Sequence, residues 1–255
     1  MTISPLFLQL VVGILTGLGA GYLGSFMILK RMSLVGDVIS HVALPGIAIA
    51  LIFKINPFFG AFAALFIAVV GIWFLEKRTE IPSETLVGIF FALSLALGIL
   101  ITPEPELLEA LFGNITKIGI WDILITVALT MVIFLTMAKI YRGLTLSVVS
   151  KELAQSMGIK VSKISFLFLL MVAIIVALGL KVTGTFLMGA LVIVPAAASK
   201  NISVSLAGFT RLAALFGGVS ALGGILFASH LGLHPGPIVV LTSGVIFLLT
   251  LFFKR

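Results

Sequence analysis

A carboxylate and an imidazole lie four residues apart, at Asp37 and His41, within an otherwise apolar stretch of the chain. In a helix this spacing places both side chains on one face, about one turn apart. Carboxylate oxygen and imidazole nitrogen are ligands for divalent first-row metals, imidazole suiting zinc and carboxylate suiting manganese. The pair alone is an incomplete shell, which a second copy of the chain, water or carbonyl groups would complete.

Two other interpretations of this pair stay open. Asp37 follows the basic residues Lys30 and Arg31 closely enough to be an interfacial helix cap, or Asp37 and His41 hydrogen-bond each other. Against both, a charged side chain inside a membrane span costs roughly 2.5 to 3.5 kcal/mol on insertion scales and usually marks a substrate or proton path. The pattern therefore favours metal or proton handling.

Other chemistry-bearing motifs are weak or missing. His230 and His234 repeat the four-residue spacing, but Gly and Pro surround them, so an outer loop is favoured over an outer metal relay. The sequence has no cysteine, which excludes thiolate metal sites and disulfides. It contains no G-x-x-x-x-G-K-[ST] motif, so energy from ATP would have to come from a separate subunit. Neither a G-x-S-x-G nor an H-E-x-x-H motif supports an enzyme.

The elements that must position these residues are membrane-spanning helices. The 255 residues are 61% hydrophobic and 10% charged, with a mean hydropathy of +1.34. Apolar blocks recur at the length of roughly 20 residues that crosses the hydrocarbon core as a helix. The sequence predicts an all-α, polytopic transmembrane bundle of about nine helices forming one domain over 1–255. The spans are placed near 6–29, 33–53, 57–75, 83–101, 119–138, 163–180, 184–199, 208–229 and 236–253.

Small residues and charges organise this bundle. Gly13, Gly17 and Gly21 in the first span and Ala213, Gly217 and Ala221 in the eighth recur every fourth position, which is typical of close helix contacts.

An outside amino terminus and a cytoplasmic carboxyl terminus place every Lys and Arg inside except Lys54, Lys117 and Lys181. This orientation accounts for the net charge of +7, so no nucleic-acid partner is expected. The acidic stretch 102–118 is expected to be an outer, solvated loop.

A short cytoplasmic helix is predicted at about 150–160. Ser150 suits its N-cap, Glu152 its first turn and Gly158 the position after its end. Such a helix either contacts another subunit or lies among the lipid headgroups. Its apolar residues, expected on one face, are Leu153, Ala154 and Met157.

The run from Lys30 to Gly46 reads KRMSLVGDVISHVALPG, and it resembles the RMS…GD…SH…LPG signature of the membrane subunits of bacterial zinc and manganese ABC importers. The region 179–198, ending in ALVIVPAAA, resembles their ALLIIPAA segment, and Gly236-Pro237 opens the last helix as in that family. Glu152-Leu153-Ala154 followed by Gly158 is similar to their cytoplasmic coupling segment.

The resemblance implies a vitamin-B12-importer-like permease in a bacterial or archaeal plasma membrane. It would act as a homodimer surrounded by lipid, coupled to two cytoplasmic P-loop ATPase subunits and supplied by an extracytoplasmic metal-binding protein. Its cargo would be a divalent metal, zinc, manganese or iron, with no permanently bound cofactor and no enzymatic activity. Asp37 and His41 would coordinate the ion, and Glu152, Ala154 and Gly158 would couple to the ATPase. The alternative is a stand-alone secondary transporter in which Asp37 carries protons.

Overall fold

Helices account for every regular element in the part of the chain that the computed structural model describes, residues 4–33, 35–79, 81–101 and 118–253. The all-α prediction is therefore confirmed for these residues. The predicted acidic loop at 102–118 lies outside them except for Ile118. The helices are α1 (Pro5–Leu29), α2 (Val35–Val42), α3 (Leu44–Ile52), α4 (Pro57–Arg78), α5 (Ser83–Ile101), α6 (Ile120–Val149), α7 (Lys151–Ser156), α8 (Val161–Ile202), α9 (Leu206–Leu231) and α10 (Pro235–Leu251).

Seven stretches of the described residues are long and apolar enough to cross a membrane, and two shorter apolar helices, Leu187–Ile202 and Pro235–Leu251, accompany them. Their positions match those of the predicted spans, which supports the polytopic bundle. The number of helices that cross the membrane and the side on which the chain begins stay predictions.

Three boundaries differ from the sequence-based expectation. The span predicted at 33–53 is two helices, because Pro45 has no N–H to continue the hydrogen-bond ladder of α2 and sits in the first turn of α3. The spans predicted at 163–180 and 184–199 are two helical segments, Val161–Thr185 and Leu187–Ile202, which follow each other directly across a break at Gly184 with φ 72° and ψ 177°. We label them together as α8. The fifth span extends as helix α6 to Val149, beyond the end predicted near residue 138.

The core of the bundle surrounds α8, which contacts α1, α2, α4, α6, α9 and α10. The middle of α8 is buried, and Val172, Ile175 and Leu191 have no exposed surface. A helix that is apolar all round and buried is the expected centre of such a bundle. The helix that carries Asp37 and His41, α2, packs against α8.

The two predicted stripes of small residues meet each other. A Cβ atom built on Gly17 would lie 2.3 Å from the carbonyl oxygen of Gly217, and one built on Gly21 would lie 2.0 Å from that of Ala213. These separations leave no room for any side chain, so α1 and α9 touch backbone to backbone. The prediction that these positions mark helix contacts is confirmed.

We expect Gly217→Ala to destabilise the bundle. Its Cβ would lie 2.1 Å from the carbonyl oxygen of Gly17, and such overpacking costs about 1 to 3 kcal/mol. Thermal denaturation of the purified protein in detergent should show a lower midpoint than the parent. Gly88→Ala is the matched control, because a Cβ there meets no atom within 4 Å. Equal midpoints for the parent and Gly217→Ala would contradict the close contact.

Candidate functional site

The short helix α2 carries both predicted metal ligands. Asp37 lies in its first turn and His41 in its last, so the two side chains are one helical turn apart on the same side. The Asp37 side chain is exposed, whereas His41 is half-buried and its ring centroid lies 5.5 Å from that of Phe91. The helix anchors itself with apolar residues, buried on its other side: Val35, Ile39 and Val42. The structure therefore brings the pair together with the carboxylate accessible.

Ser40 ties α2 to the break in α8. Its hydroxyl lies 2.6 Å from the carbonyl oxygen of Asp37 and 2.6 Å from that of Thr185, and it donates to one of them at a time. Thr185 follows Gly184, whose backbone leaves the helical region. Carbonyl groups beside such a break need donors from outside the helix. Sequence reasoning missed Ser40, although a hydroxyl inside an apolar span was the signal that could have found it.

Gly189, one helical turn after Thr185 on α8, fixes the position of Asp37. A Cβ built on Gly189 would lie 2.5 Å from the Cβ and 2.6 Å from the Cα of Asp37. The half of α8 that follows the break therefore touches the backbone of α2 at the carboxylate. Sequence reasoning missed this contact as well, because a single glycine in a long apolar segment gives no indication of its neighbour.

Gly189→Ala is expected to displace Asp37 and to lower metal uptake. Overpacking of about 1 to 3 kcal/mol at this contact lowers the equilibrium ratio of the native to a displaced arrangement by roughly 5- to 160-fold. Uptake of radioactive manganese by cells that depend on this protein measures the effect. The control is Gly244→Ala, which places a Cβ in open space on α10. Parental uptake in Gly189→Ala would show that the position of α2 is not critical.

The ligands that could complete a metal site at this pair are limited. In the described part of the chain, no group of three or more His, Cys, Asp or Glu side chains could hold a metal ion. His230 and His234, at the end of α9 and just before α10, are both exposed. Further ligands for an ion at Asp37 and His41 would have to be water, carbonyl oxygens or groups outside the described residues.

An ion pair that sequence reasoning missed holds α8 just before its break. The Lys181 ammonium contacts the Asp122 carboxylate, and the other oxygen of Asp122 accepts from the Gly119 N–H at 2.9 Å. Lys181 precedes the break at Gly184 by less than one turn. The pair neutralises both charges where they are largely withdrawn from solvent and joins α8 to the first turn of α6.

A short helix is present within the predicted range 150–160 as α7, shorter than expected and with the predicted Ser150 as its N-cap. The Ser150 hydroxyl accepts from the Leu153 N–H at 3.1 Å and donates to a carboxylate oxygen of Glu152 at 2.9 Å. The backbone N–H of Glu152, together with the Ser150 hydroxyl, holds the pKa of the Glu152 carboxyl below its ordinary value. Glu152 is thus a fixed negative charge at the start of α7.

The second end of α7 depends on Gly158. Its φ of 77° lies in the left-handed region that favours glycine. Its N–H donates to the Gln155 carbonyl at 2.9 Å, and the Ile159 N–H donates to the Ala154 carbonyl at 3.0 Å. This pair of bonds is the Schellman arrangement, which satisfies carbonyl groups that the helix leaves open.

The side chains of α7 divide between the bundle and solvent. Ala154 is fully buried, whereas 48% of Leu153 and 62% of Met157 are exposed. The expected single apolar face is therefore split, because Ala154 packs against the rest of the protein. Two apolar side chains on a short exposed helix offer a surface that a second protein or the lipid boundary could cover.

Comparison with known proteins decides the family. The sequence profile of the ABC 3 transport family matches residues 3–254. The chain belongs to this family. As a member it is the permease subunit of an ABC transporter, a multi-pass plasma-membrane protein without ATPase activity of its own, and the resemblance inferred from the sequence is confirmed.

Curated relatives and a solved structure agree with this assignment. The manganese import system permease protein ScaB of Streptococcus parasanguinis is 34% identical over 252 residues, covering 96% of this chain and 90% of the relative. The high-affinity zinc uptake system membrane protein ZnuB of Haemophilus influenzae is 29% identical, covering 97% of each chain. The structure of PsaBC from Streptococcus pneumoniae in complex with Fab matches with a TM-score of 0.87 and 30% identity, covering 100% of this chain and 93% of that one.

Proposed function

We propose that this chain forms the membrane path of an importer for a divalent transition metal, zinc or manganese, and that Asp37 and His41 receive the ion. The observation that carries the proposal is the placement of the two side chains on one side of α2, with the carboxylate accessible. Family membership and relatives named for manganese import and zinc uptake support the choice of cargo. Iron remains compatible with the same two ligand types.

Each of the two side chains would replace part of the ion's hydration shell. The Asp37 carboxylate offsets part of the positive charge, which hydrocarbon cannot do. The His41 imidazole offers a nitrogen lone pair when it is neutral. A second copy of the chain, related by a two-fold axis, would bring two more such groups to the path and give four ligands, enough for zinc or, with added water, for manganese.

We further propose that α7 is the docking helix for a separate P-loop ATPase. The exposed Leu153 and Met157 provide apolar contact, and the fixed charge of Glu152 orients the partner. Gly158 ends the helix, and Ala154 fastens it to the bundle, so that a push on α7 is transmitted to the spans. The whole of 1–255 then acts as one permease domain with its coupling helix at about 150–160.

An extracytoplasmic metal-binding protein would deliver the ion to the side on which we place the amino terminus. Two permease chains, two ATPase subunits and this delivery protein would complete the importer. The carboxyl terminus and α7 would then face the cytoplasm, where ATP is available.

Measuring whether ATP hydrolysis or a proton gradient drives transport tests the proposal. Proteoliposomes containing the permease, its ATPase and the delivery protein should accumulate radioactive manganese or zinc only when ATP is hydrolysed, and a protonophore should leave uptake unchanged. The matched control carries an ATPase whose P-loop lysine is replaced. Uptake that persists with this control and collapses with the protonophore would contradict the proposal and favour a proton-coupled secondary transporter.

A further inference from the structure

A basic cleft of about 400 Å³ lies where three spans end and α7 begins. Lys30 and Arg31 follow the end of α1, and Lys151 opens α7, so three cations line the same space. Among the described residues, the only carboxylate in the lining is that of Glu152, which already accepts from the Ser150 hydroxyl. We call this space, defined by Lys30, Arg31, Ser147, Lys151 and Ser165 with their neighbours, the basic cleft.

The Lys30 ammonium has weak partners. It donates to the Ser165 hydroxyl at 3.4 Å, and it lies 5.4 Å from the centroid of the buried Phe168 ring. Burial lowers the pKa of the Lys30 ammonium, opposed by the negative charge of Glu76 and assisted by the positive charge of Lys151. No ion pair within the described ranges involves the three cations of the cleft. Three cations and one carboxylate, that of Glu152, line the cleft, so an anion entering it would meet a net positive charge.

Four of the remaining lining residues are apolar, which limits the kind of anion that fits the cleft. Leu29, Val148, Val149 and Val161 line the cleft beside the cations. The cleft also lies at the ends of membrane helices, the depth at which lipid headgroups are found. A ligand with a phosphate joined to an apolar body matches both parts of this lining better than free phosphate does.

We propose that the basic cleft binds the phosphate group of an anionic phospholipid. The lipid phosphate contacts Lys30, Arg31 and Lys151, with the hydroxyls of Ser147 and Ser165 as further donors, and its glycerol and first methylene groups lie along the valines. A bound lipid would bridge the turn before α2, which leads to Asp37, and the first residues of α7. This inference does not rest on the proposed cargo, since lipid binding is measured without transport.

The test uses the full-length protein purified in detergent, with phosphatidylglycerol as the probe. Native mass spectrometry measures retained lipid, and the thermal midpoint is recorded with phosphatidylglycerol, phosphatidylcholine or inorganic phosphate. We expect phosphatidylglycerol alone to be retained and to raise the midpoint. Arg31→Gln combined with Lys151→Gln should weaken phosphatidylglycerol binding by roughly tenfold or more. The matched control, Lys160→Gln with Lys163→Gln, removes two exposed cations that do not line the cleft and should bind like the parent.

A second variant tests the cleft without removing any charge, because charge removal could also disturb the protein in general. Ser147→Phe fills the cleft without changing its charge and should also lose the lipid. Parental retention of phosphatidylglycerol in both cleft variants would overturn the proposal. Inorganic phosphate could instead raise the thermal midpoint as much as phosphatidylglycerol does, with the rise lost in the same variants. That result would assign the cleft to a free anion and overturn the proposal of a lipid site. Parental lipid retention with weakened ATPase binding would assign the cleft to an acidic segment of that partner instead.

Discussion

Metal uptake is expected to fall roughly a hundredfold or more when Asp37 is replaced by Asn or His41 by Gln, because the first change removes the negative charge and the second the imidazole that would bind the ion. The change at Asp37 keeps the size of the side chain but loses the negative charge that offsets a dehydrated dication. The change at His41 removes the imidazole nitrogen while keeping a polar group of similar reach. Both effects fall on transport, since Asp37 is exposed and His41 half-buried rather than packed in the core.

The measurement is the initial rate of radioactive manganese and zinc uptake into proteoliposomes. Size-exclusion chromatography shows whether each variant still assembles with the ATPase. A variant that assembles but does not transport has lost transport and not its fold. His230→Gln and Glu84→Gln are the matched controls, since they make comparable chemical changes at other helix ends. Parental uptake in both the Asp37 and the His41 variants would remove these residues from the path.

Coupling to the ATPase is expected to be lost in Gly158→Pro. Proline cannot adopt a φ of 77°, and it lacks the N–H that Gly158 donates to the Gln155 carbonyl. A helix of six residues has few other hydrogen bonds to hold its shape, so the end of α7 should unravel. We expect ATP hydrolysis in the reconstituted complex to lose its link to metal uptake, with transport reduced at least roughly tenfold.

Gly232→Pro is the matched control for this variant. Gly232 ends α9 with a φ of 67°, and its N–H donates to the Ala228 carbonyl, so the same local defect arises at a helix end far along the chain from α7. Metal uptake per ATP hydrolysed should stay at the parental value there. A parental ratio in Gly158→Pro as well would reject the docking role of α7.

Local signals were sufficient to predict the capped helix and the glycine contacts. Ser150 and Gly158 act on backbone groups a few residues away, so their types alone indicate where α7 begins and ends. Gly17 and Gly217 were predictable as contact positions because small residues at every fourth place have few other uses in a membrane helix.

The contacts that position the proposed metal ligands could not be predicted from local signals. Ser40 bonds to Thr185 across 145 residues, and Gly189 touches Asp37 across a similar distance in sequence. Such contacts depend on how α2 and α8 pack, which hydropathy does not specify. The partnership of Lys181 with Asp122, 59 residues apart, was hidden for the same reason, because a lone charge near the end of a span indicates only an orientation.

In the proposed import path, the transported ion touches the His41 nitrogen and the Asp37 carboxylate. Pulsed electron paramagnetic resonance of Mn²⁺ bound to the assembled permease and ATPase detects the nitrogen of a ligating imidazole. We predict a nitrogen coupling in the parent and in His230→Gln that disappears in His41→Gln, with weaker manganese binding in Asp37→Asn. An unchanged nitrogen coupling in His41→Gln would contradict the claim and place the ion elsewhere.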